Sequence, residues 1–364
     1  MERPLPTALE ARLVASIAAH GPMGVDAFMA QALYDPNDGY YIVQKPIGVR
    51  GDFTTSPEIS QIFGELIGLW LAQSWMDLGS PDPFNLIELG PGHGTLMADV
   101  LRVAAKVPGF ITAATIHLVE SNHHLRDMQT AKLSAHTPIW HDHLSDVPNG
   151  PSLIIANEFL DCMPIRQFVR AQDGWREKQV GLGKDNRLVF GLGSLLPLPP
   201  NHSPLNDEVG AVYEIAPQLS SFIKTLQERF RNHVGRALLI DYTDNSGQSG
   251  DTLQALYHHM KVHPLDHVGA ADITAHVDFQ ALVRLADVAQ LSYDGPINQS
   301  DFLQFLGIHE RARALINANP DSTNDVKSAV ERLVSRTHMG ALFSVICLDS
   351  PLNNGRGPPL SLRQ

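Results

Sequence analysis

From residue 84 onward short apolar runs alternate with amphipathic segments of helical period, and that rhythm admits few folds. FNLIELG (84–90), TIHLVE (115–120), PIWHD (138–142), SLIIAN (152–157) and RALLIDY (236–242) read as strands, followed by a sixth around 290–294 and a seventh, ALFSVICLD (341–349). Helices are expected from Thr95 to about Lys106, from after Glu120 to about Leu133, from Pro217 to Arg231 and over 277–289. Apolar strands joined through helices call for a parallel sheet covered on both faces, an α/β Rossmann-like arrangement.

The flanking segments break this rhythm. Residues 5–34 carry Leu9, Leu13, Ile17 and then Val25, Phe28, Met29, Leu33 at helical spacing around a GPMG break, which predicts an N-terminal helical cap. The stretch from Gly39 to Gln61 holds Pro46, Gly48 and Gly51 and reads as an ordered loop. Ser56 or Thr55 then caps a helix expected from Pro57 to Asp77. Residues 166–204 alternate like a small meander, 299–335 look helical, and 351–364 form a tail. The expected partition is a cap and active-site loop (1–77), a core (78–298 and 336–350) carrying the 166–204 insertion, a helical insertion (299–335) and the tail.

With 43% hydrophobic and 18% charged residues the chain has a globular composition. A net charge of -12 argues against broad nucleic-acid binding and suits a basic peptide partner better. The two cysteines, Cys162 and Cys347, sit in apolar stretches and read as reduced core residues. No run approaches the ~18 apolar residues of a membrane span, and the N-terminus has neither a signal core nor a transit-peptide composition. A bacterial cytoplasm is expected.

ELGPGHG (88–94) joins the first strand to its helix. Gly90, Gly92 and Gly94, with Pro91 between the first two, let backbone approach a ligand at a helix N-terminus. A dinucleotide fingerprint would place Gly or Ala at 95, where this chain has Thr95, and Glu120 follows Gly90 by 30 residues instead of about 20. Glu88, two residues before Gly90, can meet a ligand ammonium; the plain alternative is a tight turn that binds nothing. Glu120 ends the second strand, where a carboxylate accepts from ribose hydroxyls unless it only caps a helix. Asp142, after the third strand, offers an acceptor for an adenine amino group beside Trp140 or His141, or else solvates a turn.

In IIANEFLDCMP the fourth strand delivers Asn157 and Glu158 to the carboxyl edge of the sheet. An amide at 157 and carboxylates at Glu158 and Asp161 can orient a nitrogen nucleophile; otherwise Asp161 caps a helix and Glu158 is a surface acid. Around Ser56, Pro57 and Glu58 the segment GDFTTSPEISQ (51–61) offers a polar helix start, for ligand or for plain capping. His258, His259, His263 and His267 fit neither a zincin helix nor a zinc finger, and Pro264 breaks any helical face. No metal is expected there, and a loop over the active site is.

Together, GDFTTSPEISQIFGE, IELGPGHGTL, ANEFLDCMPIRQFV, GDTLQALYHH with HPLDHVGAADITAHVDF, and MGALFSVI resemble the MidA-like methyltransferases, over about residues 39–348. The resemblance implies a class I methyltransferase fold, its seventh strand antiparallel and paired with the sixth, and S-adenosyl-L-methionine as methyl donor. It implies Gly90, Gly92 and Gly94 in the cofactor loop and Glu120 on the ribose, with Ser56, Pro57 and Glu58 and with Asn157 and Glu158 bordering the active site. Together with the residues read above, the expected cofactor set is Glu88, Gly90, Pro91, Gly92, Gly94, Glu120, Asp142, Asn157, Ser56 and Pro57, and the expected catalytic set is led by Glu158 with Asn157, Glu58 and Asp161. The family includes a mitochondrial complex I assembly factor that methylates an arginine of a core subunit, so the implied partner is a protein, a complex I (NADH dehydrogenase) core subunit. Where relatives usually carry Asp-Tyr-Gly after the fifth strand, this chain has Asp241, Tyr242 and Thr243, which removes backbone freedom. Two rival functions are a cofactor-binding assembly chaperone without turnover and an NAD-dependent oxidoreductase.

Overall fold

A computed structural model describes residues 4–43, 55–199, 206–243, 250–353 and 360. Pro46, Gly48, residues 51–54 and most of the 351–364 tail lie outside them. The chain forms two compact units, one of Met1–Phe53, Asp161–Ser220 and Asp244–His276, the other of Thr54–Leu160, Ser221–Thr243 and Val277–Gln364. Helix 61–77, expected with the N-terminal cap, therefore groups with the second unit, and the meander groups with the first.

The second unit is built on a seven-stranded sheet of β1 (Phe84–Leu89), β2 (Ala114–Val119), β3 (Ile139–His141), β4 (Ser152–Asn157), β5 (Gly235–Tyr242), β6 (Ser292–Asn298) and β7 (Phe343–Asp349). Their order is β6-β7-β5-β4-β1-β2-β3. Strands β1 to β5 pair in parallel, and β7 runs antiparallel between β5 and β6. This is the class I order, and its reversal of direction at β1 and β4 opens the crevice where α/β sheets take ligands. Strand β6 starts later and runs further than expected, because Gln290 turns the chain at φ 57 and an irregularity between Asp294 and Ile297 carries the strand past Gly295-Pro296. Strand β7 begins at Phe343, since Met339–Leu342 form a short helix that apolar composition alone does not separate from a strand.

Besides the one-turn helices Phe110–Ala113 and Met339–Leu342, the helices of this unit are α1 (Ser56–Ile59), α2 (Gln61–Asp77), α3 (Thr95–Ala104), α4 (His123–Lys132), α5 (Pro217–Phe230, from Ser221 on), α6 (Phe279–Val288), α7 (Gln299–Phe305), α8 (Ile308–Ala318) and α9 (Thr323–Val334). The single helix expected over 57–77 is two. Ser60 adopts an extended backbone (φ -160°, ψ 135°) and its hydroxyl accepts from the Ile62 N–H, so it ends α1 and caps α2. Strand residues Leu86, Leu118, Ile155, Leu238 and Val345 form one core with Ile62, Phe63 and Trp70 of α2 and Phe302, Ile308 and Leu333 of α7 to α9. Each large apolar side chain so buried contributes about 1.5–3 kcal/mol. Buried Glu65 on α2 accepts from Arg102 of α3 and, at 2.6 Å, from Arg311 of α8. Burial raises its pKa, but the two guanidiniums override that and lower it, so the carboxylate ties the added helices to the helix behind the glycine loop.

In the first unit Ala8–His20 and Val25–Tyr34 are helices separated at Gly21, whose φ of 89° only glycine adopts at little cost. They share a core of Leu9, Leu13, Phe28 and Leu33 with Ile165, Val180 and Ile273. The expected meander is present as Arg166–Ala171, Gly174–Leu182 and Leu188–Leu195, but its sheet also takes in Met23–Gly24 and Val212–Ile215. A two-residue strand and one beyond a Pro-rich stretch leave no periodic signal. The loop expected at 258–276 carries two short strands, Met260–Val262 and Asp272–Thr274, which flank Gln254–Tyr257 in a three-stranded sheet, and is otherwise turn and loop. His258 and His259, at φ 50° and 60°, make its tight hairpin turn, and His267 stacks on Tyr257 at 3.9 Å. Among the described residues no group of three or more His, Cys, Asp or Glu is arranged to hold a metal. Cys347 is a buried residue of β7, whereas Cys162 is only half-buried and its Sγ accepts from the Tyr34 hydroxyl at 3.2 Å. No helix among the described residues is long and apolar enough to cross a membrane.

Candidate active site

Strand β1 ends in the loop Gly90–Gly94, which turns directly into α3. Gly90, Gly92 and Gly94 have φ of 63°, 53° and 75°, in the left-handed region where a side chain is costly. A Cβ on Gly90 would lie 3.0 Å from the Phe159 ring, and one on Gly94 3.3 Å from Cγ of Gln129. Gly94 is the N-cap of α3 and supplies no capping side chain, so the first-turn N–H groups gain nothing from that position.

Several acids converge on this loop. Glu88 is buried on β1, and its Oε2 has no hydrogen-bond partner among the described residues. Burial, with the charge of Glu120 adding to it and the Met97 N–H opposing it, pushes the Glu88 carboxyl up to about 8. Glu120, just after β2, accepts from the Asn122 N–H at 2.8 Å and from Gln129 Nε2 at 3.3 Å. Burial lifts it to about 7 against those hydrogen bonds.

Glu58, on the short α1, takes a hydrogen bond of 2.5 Å from the Thr95 hydroxyl at its Oε1. His93 lies 3.5 Å from the same oxygen, and Lys132 donates to Thr95. Bonding to His93, and then to Thr95, holds Glu58 at about 2 despite its partial burial. Thr95, the residue that departs from a dinucleotide fingerprint, is thus part of a clamp between α1 and the loop.

The β4 edge is equally ordered. Glu158 follows Asn157 at φ 53°, a left-handed backbone for a residue other than glycine. Buried Asp241 at the end of β5 explains it: its Oδ2 accepts from the N–H groups of Phe159 and Leu160 at 3.1 and 2.7 Å. The Glu158 N–H donates to the Ile240 carbonyl at 2.9 Å. Glu158 Oε1 accepts from the Ser56 N–H at 3.2 Å and from Asn157 Nδ2 at 3.0 Å, while Asn157 Oδ1 is buried without a partner among the described residues.

Ser56, Pro57, Glu58, Glu88, Pro91, the three glycines, Glu120, Asn157 and Glu158 therefore all belong to the second unit. Asp161 belongs to the first unit, where it sits in a turn, not a helix cap, and its carbonyl accepts from the Ala275 N–H. Asp142 stands 65% exposed after β3, paired to Arg126 at 2.6 Å. Trp140 does not stand free beside it, since its Nε1 donates to Gln129 Oε1 at 2.7 Å. The sequence reading missed Gln129, which α4 buries behind the loop, and the structural use of Asp241. Neither is close in sequence to the groups it holds, so no local motif marks them.

This arrangement of donors and acceptors suits a ligand that is cationic at one end and rich in hydroxyl and amino donors at the other. Two buried oxygens, on Glu88 and Asn157, have no hydrogen-bond partner among the described residues, and an ammonium and other polar hydrogens would satisfy them. A pyrophosphate would meet carboxylates instead.

Comparisons with known proteins agree. Residues 66–297 match the model of a family described as S-adenosyl-L-methionine-dependent methyltransferases. The chain is 35% identical to the mitochondrial protein arginine methyltransferase NDUFAF7 of Danio rerio, over 94% of this chain and 86% of that one. It is 34% identical to the Homo sapiens protein of the same name, over 92% and 82% respectively. A crystal structure of a COG1565 superfamily member from Burkholderia thailandensis bound to S-adenosyl-homocysteine superposes with a TM-score of 0.83 at 27% identity, covering 96% of this chain and 95% of that one. With the class I strand order, the glycine loop and these matches together, the chain belongs to the S-adenosyl-L-methionine-dependent methyltransferases related to the NDUFAF7 protein arginine methyltransferases, and S-adenosyl-L-methionine is its cofactor.

Proposed function

We propose that this enzyme methylates an arginine side chain of a protein, and that the acceptor is a core subunit of respiratory complex I. The names of its relatives support the arginine; the MidA-like motifs support the subunit. The observation that carries the proposal is Glu158, a carboxylate fixed at the β4 edge in a left-handed backbone by Asp241 and oriented by the Ser56 N–H and the Asn157 amide.

In this account Glu88 would hold the cofactor's ammonium, the Gly90–Gly94 loop with Pro91 would line its binding site, Glu120 would take the ribose hydroxyls and Asp142 the adenine edge. Asn157, Ser56 and Pro57 border the methionine end. The cofactor supplies a methyl group activated by an adjacent sulfonium. An arginine acceptor is a poor nucleophile because its guanidinium stays protonated and its lone pairs are delocalised. Glu158 accepts N–H groups of the guanidinium and draws the positive charge toward the nitrogens it contacts, leaving electron density on the nitrogen to be methylated. As the N–C bond forms and the C–S pair leaves with sulfur, that nitrogen sheds one proton, for which Glu158 is the nearest assigned acceptor. Glu58, saturated on one oxygen by Thr95 and bonded to His93, holds the loop and takes no part in the chemistry. Asp161 is not needed for this step.

Glu158→Gln keeps the shape and the amide contacts but removes the charge. Methyl transfer to the isolated subunit is expected to fall about 100-fold or more, with S-adenosyl-homocysteine affinity unchanged by calorimetry. Full turnover in Glu158→Gln would falsify the assignment, and turnover by the native enzyme onto a different subunit would move the substrate but leave Glu158 in place.

A further inference from the structure

We infer that Gln129 is the positioning residue that sets the glycine loop in register with the ribose-binding carboxylate. The inference rests on the assignment of Glu120 to the ribose. Gln129 lies on α4, away from every motif, and is fully buried. Its Nε2 donates to the Gly92 carbonyl at 2.8 Å and to Glu120 Oε2 at 3.3 Å, so one amide group bonds the loop after β1 and the carboxylate after β2 at once. Its Oε1 accepts from Trp140 Nε1 at 2.7 Å. Indole is a donor only, so Trp140 fixes which end of the amide carries the hydrogens and turns both of them toward the loop and Glu120. The side chain also fills the space beside Gly94, where a Cβ would meet Gln129 Cγ at 3.3 Å.

The chain Trp140, Gln129, then Gly92 and Glu120 thus links the ends of three neighbouring strands, β3, β1 and β2, through one side chain. Glu120 gains a donor that favours its ionised form, the form that accepts from two ribose hydroxyls. Gly92 keeps its carbonyl turned into the protein, which directs the opposite side of the loop backbone outward. Without the amide the Gly92 carbonyl would be buried bare and Glu120 would lose one of the donors that hold it charged.

The probe is methylthioadenosine, which has ribose and adenine but no ammonium, so Glu88 has nothing to bind; the charges of Glu88 and Arg126 that act on Glu120 are the same in the native chain and in the Gln129 and Trp140 variants. Its affinity is measured by calorimetry from pH 5.5 to 8.5 for the native chain, Gln129→Leu, Trp140→Phe, the double variant and Glu120→Gln. Gln129→Leu is expected to weaken binding at pH 7 by about 10- to 100-fold, the scale of a lost hydrogen bond to a charged group plus a stranded carbonyl. The midpoint of the pH profile, near 7 in the native chain from Glu120, is expected to move upward. Trp140→Phe keeps a ring and loses only the donor; it should weaken binding on its own and add nothing in the Gln129→Leu background. A Gln129→Leu variant that loses affinity equally at all pH values, or Trp140→Phe and Gln129→Leu effects that simply add, would overturn the inference. If Glu120→Gln leaves binding unchanged, the ribose assignment itself is wrong; if it weakens binding while Gln129→Leu does not, only the Gln129 inference fails.

Discussion

Glu88 offers the sharpest quantitative test, because the carboxyl that suits the cofactor is a burden on the empty protein. Its folded value of about 8 lies above the 4.5 of an ordinary glutamate. Below pH 4.5 the group is protonated in both states and costs nothing. Between 4.5 and 8 the unfolded chain ionises it while the folded chain keeps the proton, so folding stability falls as pH rises through this window and levels off above 8. At about 1.4 kcal/mol per pH unit the full loss approaches about 5 kcal/mol. Glu88→Gln preserves shape, keeps a carbonyl oxygen toward the Met97 N–H and cannot ionise. Thermal unfolding of the cofactor-free protein should therefore show Glu88→Gln equal to the native chain near pH 4.5 and increasingly more stable than it toward pH 8. Cofactor binding should show the opposite sign. At pH 6.5 the native Glu88 is protonated and must give up its proton to meet the ammonium, so calorimetry in buffers of different ionisation enthalpy should record about one proton released from Glu88 on top of the share that Glu120, at about 7, gives up to accept the ribose hydroxyls. Glu88→Gln should release about one proton fewer and bind more weakly. A stability difference that does not vary with pH, or an unchanged proton release in Glu88→Gln, would refute both the burial argument and the ammonium assignment.

Two further substitutions probe the scaffold. Gly94→Ala places a side chain at φ 75° with Gln129 Cγ at 3.3 Å; a loss of about 1–2 kcal/mol in urea unfolding is expected, together with weaker S-adenosyl-homocysteine binding. Asp241→Asn replaces an oxygen that serves two backbone N–H groups with an amide that satisfies them in only one orientation. It should destabilise the fold by about 1–3 kcal/mol and, by releasing the backbone that holds Glu158, lower kcat more than it raises KM.

The parallel sheet was legible because apolar strands with helical crossovers leave a strong periodic trace, and the first five strands fall within a residue of where that trace places them. What periodicity could not resolve were features set by tertiary contacts. Ser60 splits one amphipathic run into two helices through a single backbone conformation. Strand Val212–Ile215 pairs with Arg166–Ala171 across more than forty residues, and the histidine-rich stretch contributes two short strands because Gln254–Tyr257 lies between them. The glycine loop and its acids were legible by the same logic, since strand ends and left-handed turns restrict residue type. Thr95 was visible as a departure, but its bond to Glu58, a residue expected in the catalytic set, was not. Gln129 left no trace because an interior glutamine on an amphipathic helix looks like any polar residue until the fold shows what it bonds.

The most direct test of the central proposal is to incubate the purified enzyme with methyl-labelled S-adenosylmethionine and isolated NADH dehydrogenase core subunits, and then hydrolyse the labelled protein to amino acids. The account predicts label in methylated arginine on one core subunit. Label confined to another amino acid, or cofactor binding with no transfer to any of these subunits, would contradict it.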